Sequence, residues 1–342
     1  MLRLPGASGV TRTGAIRMSV MCSALALMAA LSACQKSGDA AGEVVVTTAS
    51  VDTTGYARPQ LNSGEPKDGD VRLESVPPTV AGAFIDARWY GPGNEGDYVD
   101  IVPSGYTTTS GEISYAYVRE TTDSGLRVRA PINPGQYEVR YVLQMPTERL
   151  VKAAVPLEVI AATATLEAPE AAQGGETLSV DWTGPAGEGD YIDIVPENAT
   201  ATTGEIAYAY TRNGNPASLR APGETGAYKL RYVLEGPDGR RVIASKALAV
   251  TTPEAALTTP EAVEPGADFE VTWTGPGYEG DYVDLVPKGY EETSGELAYF
   301  YTRSGETGSL KAPDQRGEYD IRYVLEAPGG RMVLAQSSLT VE

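Results

Sequence analysis

The sequence contains no histidine, only two cysteines and only three phenylalanines among its 342 residues, and it has no Gly-x-Ser-x-Gly, P-loop or dinucleotide motif. Without histidine there is no imidazole base, no His-containing triad and no His-ligated metal. Both cysteines, Cys22 and Cys34, fall in the first 34 residues, so the rest of the chain has neither a thiol nucleophile nor a disulfide framework. Basic side chains are also scarce: 27 Lys and Arg stand against 46 Asp and Glu, a formal net charge of −19. A surface this negative repels phosphate polymers and anionic lipid heads, which excludes nucleic acid as a partner. No enzymatic activity and no cofactor are expected.

What is abundant points to strands and turns. The 38 Gly, 24 Pro and 20 Tyr favour short strands joined by tight turns, with rings whose hydroxyls reach water or a partner. Residues 1–18 carry Arg3, Arg12 and Arg17 and no acid, and Ser19 to Ala33 form an apolar run too short to cross a bilayer stably. The run ends in Leu31-Ser32-Ala33-Cys34. This segment resembles a bacterial lipoprotein signal with its lipobox, and the resemblance implies cleavage before Cys34 and acylation of its thiol. Residue 35 is Gln and not Asp, which in enterobacteria-like sorting implies the outer membrane. Loss of residues 1–33 would leave 24 basic against 46 acidic residues. Residues 34–70 are rich in Gly, Ser, Thr, Asp and Ala and read as a flexible tether.

Beyond the tether the chain repeats. Trp89, Trp182 and Trp273 are 93 and 91 residues apart, and Arg140, Arg231 and Arg322, each in RYVL, are 91 apart. Three tandem β-sandwich repeats are expected, at 71–161, 162–252 and 253–342, each long enough to fold alone. The third shows seven strand-like segments without helical period, an all-β pattern. In GEYDIRYVLE, Tyr319, Ile321, Tyr323 and Leu325 share a face expected to be buried, and Glu318, Asp320, Arg322 and Glu326 share one expected to be wet.

The tryptophan on the second strand and the Pro-x-x-x-Gly-x-Tyr that brings in Tyr137, Tyr228 and Tyr319 resemble immunoglobulin or fibronectin type III domains. That resemblance implies a core tryptophan and a tyrosine corner in each repeat. GDYxDxVP also resembles the "DWIG" strand of SKICH-type sandwiches, and it is similar to repeats that accompany von Willebrand factor A domains in proteobacterial envelope proteins. No D-x-S-x-S motif is present, so the A domain and its metal-dependent adhesion are not implied.

The repeated GDYxDxVP places two aspartates in each such strand. Residues three apart on a strand face opposite ways, so the two carboxylates do not converge on one metal without a bulge. Asp100 is expected to pair with Arg140 across the outer sheet face, Asp193 with Arg231 and Asp284 with Arg322; an exposed pair contributes about 0.2–1 kcal/mol. The first aspartate of each motif is expected to cap the glycine-rich turn. Calcium at each turn, through Glu95 and Asp97, Glu188 and Asp190, or Glu279 and Asp281, is the competing reading, although two acids fall short of the usual 6–8 oxygen ligands. A glycosidase-type carboxylate pair copied into three short sandwiches is a further alternative that the site logic disfavours.

The third repeat carries Tyr278, Tyr290 and Phe300 where its siblings are poorer in aromatics, and these three are the candidate partner-binding residues. The expected function is a lipid-anchored, non-enzymatic envelope protein, a binding or spacer module for an unidentified envelope protein or glycan, touching the membrane through its lipid. A calcium-dependent structural or adhesive rod is the alternative.

Overall fold

The computed structural model describes residues 56–342. Cys34, the signal segment and the first part of the tether lie outside the described residues. The first repeat comprises β1 (Arg72–Leu73), β2 (Thr79–Val80), β3 (Phe84–Ala87), β4 (Trp89–Tyr90), β5 (Tyr98–Pro103), β6 (Ser114–Tyr117), β7 (Leu126–Arg129), β8 (Gly135–Gln144) and β9 (Arg149–Ile160). The second comprises β10 (Thr165–Glu167), β11 (Ala171–Gln173), β12 (Thr177–Thr183), β13 (Tyr191–Pro196), β14 (Ala207–Tyr210), β15 (Ala217–Arg220), β16 (Gly226–Gly236) and β17 (Gly239–Thr251). The third comprises β18 (Ala256–Thr258), β19 (Ala262–Val263), β20 (Asp268–Thr274), β21 (Tyr282–Pro287), β22 (Ala298–Tyr301), β23 (Thr307–Lys311), β24 (Gly317–Ala327) and β25 (Gly330–Val341).

Each repeat is an Ig-like sandwich. In the second, a three-stranded sheet β10-β12-β15 packs on a five-stranded sheet β11-β17-β16-β13-β14, and the third repeats this order with β18-β20-β23 and β19-β25-β24-β21-β22. The first has the same five-stranded sheet, β2-β9-β8-β5-β6, while its smaller sheet is broken into the pairs β1-β4 and β3-β7. Where seven strands were expected, the first repeat forms nine, with β3 and β4 in place of one strand, and the second and third form eight; in all three the first strand splits and its second half crosses to pair in parallel with the last strand. Proline lies at each break, Pro77-Pro78, Pro169 and Pro260, where a missing N–H and a fixed φ end a ladder.

Alternation sets the core. Phe269, Val271 and Trp273 on β20 and Ile321 and Tyr323 on β24 are buried together with Val283, Leu285 and Leu310. The tyrosine corners close locally: the Tyr137, Tyr228 and Tyr319 hydroxyls donate to the carbonyls of Asn133, Glu224 and Gln315 at 2.9, 3.0 and 2.8 Å. Trp89 is fully buried, donates from Nε1 to Thr121 Oγ1 at 2.8 Å and lies against Tyr141. Trp273 is buried against Tyr323, whereas Trp182 is half-buried and donates to the Gly214 carbonyl.

Successive sandwiches are joined by one repeated device. Arg129, at the end of β7, donates to the carbonyls of Gly82 in its own repeat and of Glu188 and Glu235 in the next. Arg220, at the end of β15, donates in the same way to Gly175, Glu279 and Glu326. Gly82 and Gly175 have φ of +76° and +80°, a left-handed backbone that glycine adopts without a Cβ clash. Their open side receives Leu234 and Leu325 of the following repeat.

Part of the predicted tether packs against the first repeat. The Asn62 amide N–H donates to the Gly93 carbonyl at 2.7 Å, Asn94 Oδ1 accepts from Asn62 and from the Lys67 amide, and Lys152 reaches Asp68. Tyr56 is buried edge-on against Tyr90. Residues 56–70 are therefore not free tether. Composition hid this because the attachment uses asparagine amides and main chain rather than an apolar stripe.

Candidate functional site

Both aspartates of each GDYxDxVP motif are buried, for different reasons. The first caps its turn. Asp97 accepts from the Asn94 and Gln144 amides at 2.9 and 2.8 Å and from the Tyr141 hydroxyl at 2.6 Å. Asp190 does the same with the Gly187 and Glu235 amides and Tyr232, and Asp281 with the Tyr278 and Glu326 amides and Tyr323. Glu95, Glu188 and Glu279 are exposed, while these aspartates are buried and already accept from two amides and a tyrosine hydroxyl each. Among the described residues no three His, Cys, Asp or Glu side chains converge as a metal site would need.

Burial pushes the Tyr141, Tyr232 and Tyr323 phenols well above their ordinary range, and the neighbouring carboxylate adds to the effect. In the unfolded chain these protons leave near pH 10. The folded pKa values are raised, so the stabilisation is complete below about pH 10 and is lost as pH rises above it, by up to about 1.4 kcal/mol per pH unit for each tyrosine. A spectrophotometric titration should show these three phenols ionising only as the protein unfolds. Reversible ionisation of all 20 tyrosines with the fold intact would contradict this.

The second aspartate pairs with arginine in the register expected, Asp100 opposite Arg140, Asp193 opposite Arg231 and Asp284 opposite Arg322. Each pair is bidentate. Arg322 Nε and Nη2 donate to Asp284 Oδ1 and Oδ2 at 3.0 and 2.7 Å, and the other two pairs match at 3.0 and 2.6 Å. The expected exposure is wrong: the aspartates are 0% and the arginines 1% exposed. The connection between β5 and β6, residues 104–113, folds back over the sheet, and its Tyr106 and Thr108 carbonyls accept from Arg140 Nη1. The Tyr290 and Glu292 carbonyls do this for Arg322, and Ala201 does it for Arg231. The outer face is thus dry where the connection covers it, and in the third repeat Asp320 is buried there too, accepting from the Gly289 amide.

Of the three expected partner-binding residues, Tyr278 and Phe300 are taken up in packing and Tyr290 is exposed. Tyr278 sits in the joint between the second and third repeats, with its ring beside Gly175 and its hydroxyl 3.5 Å from Gln173 Oε1. Tyr290 belongs to the cover of the buried pair, its ring near the Arg322 guanidinium, as Tyr106 is near Arg140. Phe300 is half-buried against the core and fills the space above Gly308. By repeat position Phe300 corresponds to Ala116 and Ala209, and Gly308 to Leu126 and Ala217, so the large ring and the missing side chain compensate each other.

The exposed aromatics lie elsewhere and recur in every copy. The four-residue edge strands β6, β14 and β22 each carry Tyr-x-Tyr, and alternation puts both rings on one side. Tyr115, Tyr208 and Tyr299 are 50%, 54% and 50% exposed. Each stands edge-on to the next tyrosine of its strand, Tyr117, Tyr210 or Tyr301, at centroid distances of 5.5, 5.4 and 5.5 Å. A buried tyrosine on the adjacent strand, Tyr98, Tyr191 or Tyr282, forms the floor, and its hydroxyl is held by a carbonyl of the covering connection. Arginines flank the strip at both ends: Arg149, Arg240 and Arg331 lie over the floor tyrosines, and Arg119, Arg212 and Arg303 over Tyr117, Tyr210 and Tyr301. In the third repeat Tyr282, Tyr299, Tyr301, Glu296, Glu326 and Arg331 line one surface pocket. The signal available in the sequence was the identity of Tyr-x-Tyr in all copies, whereas differences between copies pointed to residues that adjust packing.

No family model matches the chain, and no curated protein matches it. Among solved structures, extracellular domains 3–5 of Drosophila OTK align over 81% of this chain and 98% of theirs at 12% identity, with a TM-score of 0.25. Three N-terminal domains of the bacteriophage RB49 highly immunogenic outer capsid protein align over 80% and 98% at 11% identity, with a TM-score of 0.22. A marsupial T cell receptor aligns over 79% and 99% at 10% identity, with a TM-score of 0.23. The tandem Ig-like character of the chain rests on its own strand order and register.

Proposed function

We propose that this chain is a lipid-anchored, non-enzymatic envelope protein that binds a partner through the tyrosine strips of its three Ig-like repeats. The observation that carries the reading is the recurrence of the same exposed tyrosine with flanking arginines on all three edge strands. Tyrosine and arginine are the side chains that most often anchor recognition surfaces. The carboxylates that catalysis would draw on are engaged in capping and pairing, and the sequence supplies no imidazole. The LSAC motif at Cys34 supports the anchor, and the acidic body would stand away from anionic lipid heads.

A Cys34→Ser chain should leave the membrane fraction and lose its lipid mass, and once soluble it should sediment with added envelopes from the producing cell. The same chain with Tyr115, Tyr208 and Tyr299 all changed to Ser should bind those envelopes at least about tenfold more weakly, as expected for the loss of several anchors. Retention of the Cys34→Ser chain in membranes would overturn the anchor, and equal sedimentation of the two soluble chains would overturn the strips.

A further inference from the structure

We infer that the ligand of the tyrosine strips is a neutral, repeating glycan; this rests on the strips being the binding surface. The chemistry of each site is mixed and nearly balanced in charge. In the third repeat, Tyr299 and Tyr301 are 50% and 44% exposed, and Glu296, Glu326 and Arg331 line the same pocket. Arg331 is held by Glu326 at 2.6 Å, and in the second repeat Arg240 is held by Glu235 at 3.0 Å. These two guanidiniums are thus already paired, Arg149 of the first repeat is held by Gln144, and Arg119, Arg212 and Arg303 lie over tyrosine rings, so each strip mixes cations with carboxylates and is not a cluster of positive charge. A chain with net charge −19 adds a long-range penalty for polyanions. What remains is an aromatic platform bordered by charged hydrogen-bonding groups. That combination suits a sugar ring, whose C–H face packs on tyrosine and whose hydroxyls donate to carboxylates and accept from guanidinium.

The number and form of the sites favour a polymer over a folded protein or a peptide strand. The same small site recurs at Tyr115, Tyr208 and Tyr299, so a ligand with a repeating unit can occupy the sites in series and gain avidity. Strand addition is poorly served by this edge. β6, β14 and β22 are four residues long and each runs into a 3-10 turn, Val118–Glu120, Thr211–Asn213 or Thr302–Ser304, leaving few free main-chain groups.

The test uses the full mature chain in a detergent without a sugar headgroup. Its probes are cellohexaose, maltohexaose and chitohexaose, with heparin as the polyanion, followed by calorimetry. At least one neutral hexasaccharide should bind, and Tyr299→Ala with Tyr301→Ala should remove about one third of the sites while the parent's circular dichroism is kept. In parallel, envelopes digested with proteinase K should still bind the Cys34→Ser chain, and envelopes oxidised with periodate should not. Preference for heparin, or binding lost to protease and kept after periodate, would overturn the glycan while leaving the strips as the binding surface. Undiminished calorimetric binding by the tyrosine variant, with envelope binding also unchanged by the strip substitutions, would overturn both.

Discussion

Replacing Asp284 with Asn should destabilise the third repeat by about 3–5 kcal/mol, because it leaves the Arg322 guanidinium buried without its counter-charge. Arg322 is 1% exposed, and its remaining partners are the Tyr290 and Glu292 carbonyls, which accept hydrogen bonds but carry no net charge. Exposed pairs contribute about 0.2–1 kcal/mol, so the size of the loss distinguishes a dry pair from a wet one. Changing both partners, Asp284→Leu with Arg322→Met, should be far milder than the single change, since removing a buried pair together is often near neutral. Calorimetry of the full chain should show the third repeat's transition falling by more than about 10 °C for the single variant. Equal losses for the single and double variants would mean that the side-chain shapes, and not the charges, hold the layer.

Trp89→Ala should cost the first repeat about 3–5 kcal/mol through lost burial and the cavity left behind. The residue is fully buried, its Nε1 bonds Thr121, and it supports Tyr141, which in turn holds Asp97. The same change at Trp182 should cost clearly less, because that ring is half-buried and donates only to a solvent-side carbonyl. Chemical denaturation of the two variants reads the difference directly, and equal losses would contradict the burial found here.

Much of this architecture is legible in the sequence. The spacing of tryptophans and of RYVL arginines gives three copies, alternation gives the core faces, and the tyrosine corners close where Pro-x-x-x-Gly-x-Tyr places them. The partner of each strand aspartate is legible too, because pairing depends on register. Its burial is not, because the cover over Asp100 and Arg140 is made of main-chain carbonyls in an irregular connection, and such a connection has no periodicity to read. Phe300 illustrates the converse: an extra aromatic looked like an anchor until Gly308, on another strand, accounted for its volume. The split of the first strand was written in Pro77-Pro78, Pro169 and Pro260, but a proline alone does not say that the chain changes sheets.

The central claim, that the Tyr-x-Tyr edges are the working surface, is tested most directly by tyrosine nitration read by mass spectrometry, comparing the purified protein with the protein in the envelope proposed to hold it. Tyr115, Tyr208 and Tyr299 should be nitrated readily in the purified chain, where they are about half exposed, and buried Tyr141, Tyr232 and Tyr323 should not. In the envelope the first three should be protected severalfold, while Tyr106 and Tyr290, exposed but outside the strips, should react as before. Unchanged nitration of Tyr115, Tyr208 and Tyr299 in the envelope, or protection confined to Tyr106 and Tyr290, would contradict the account.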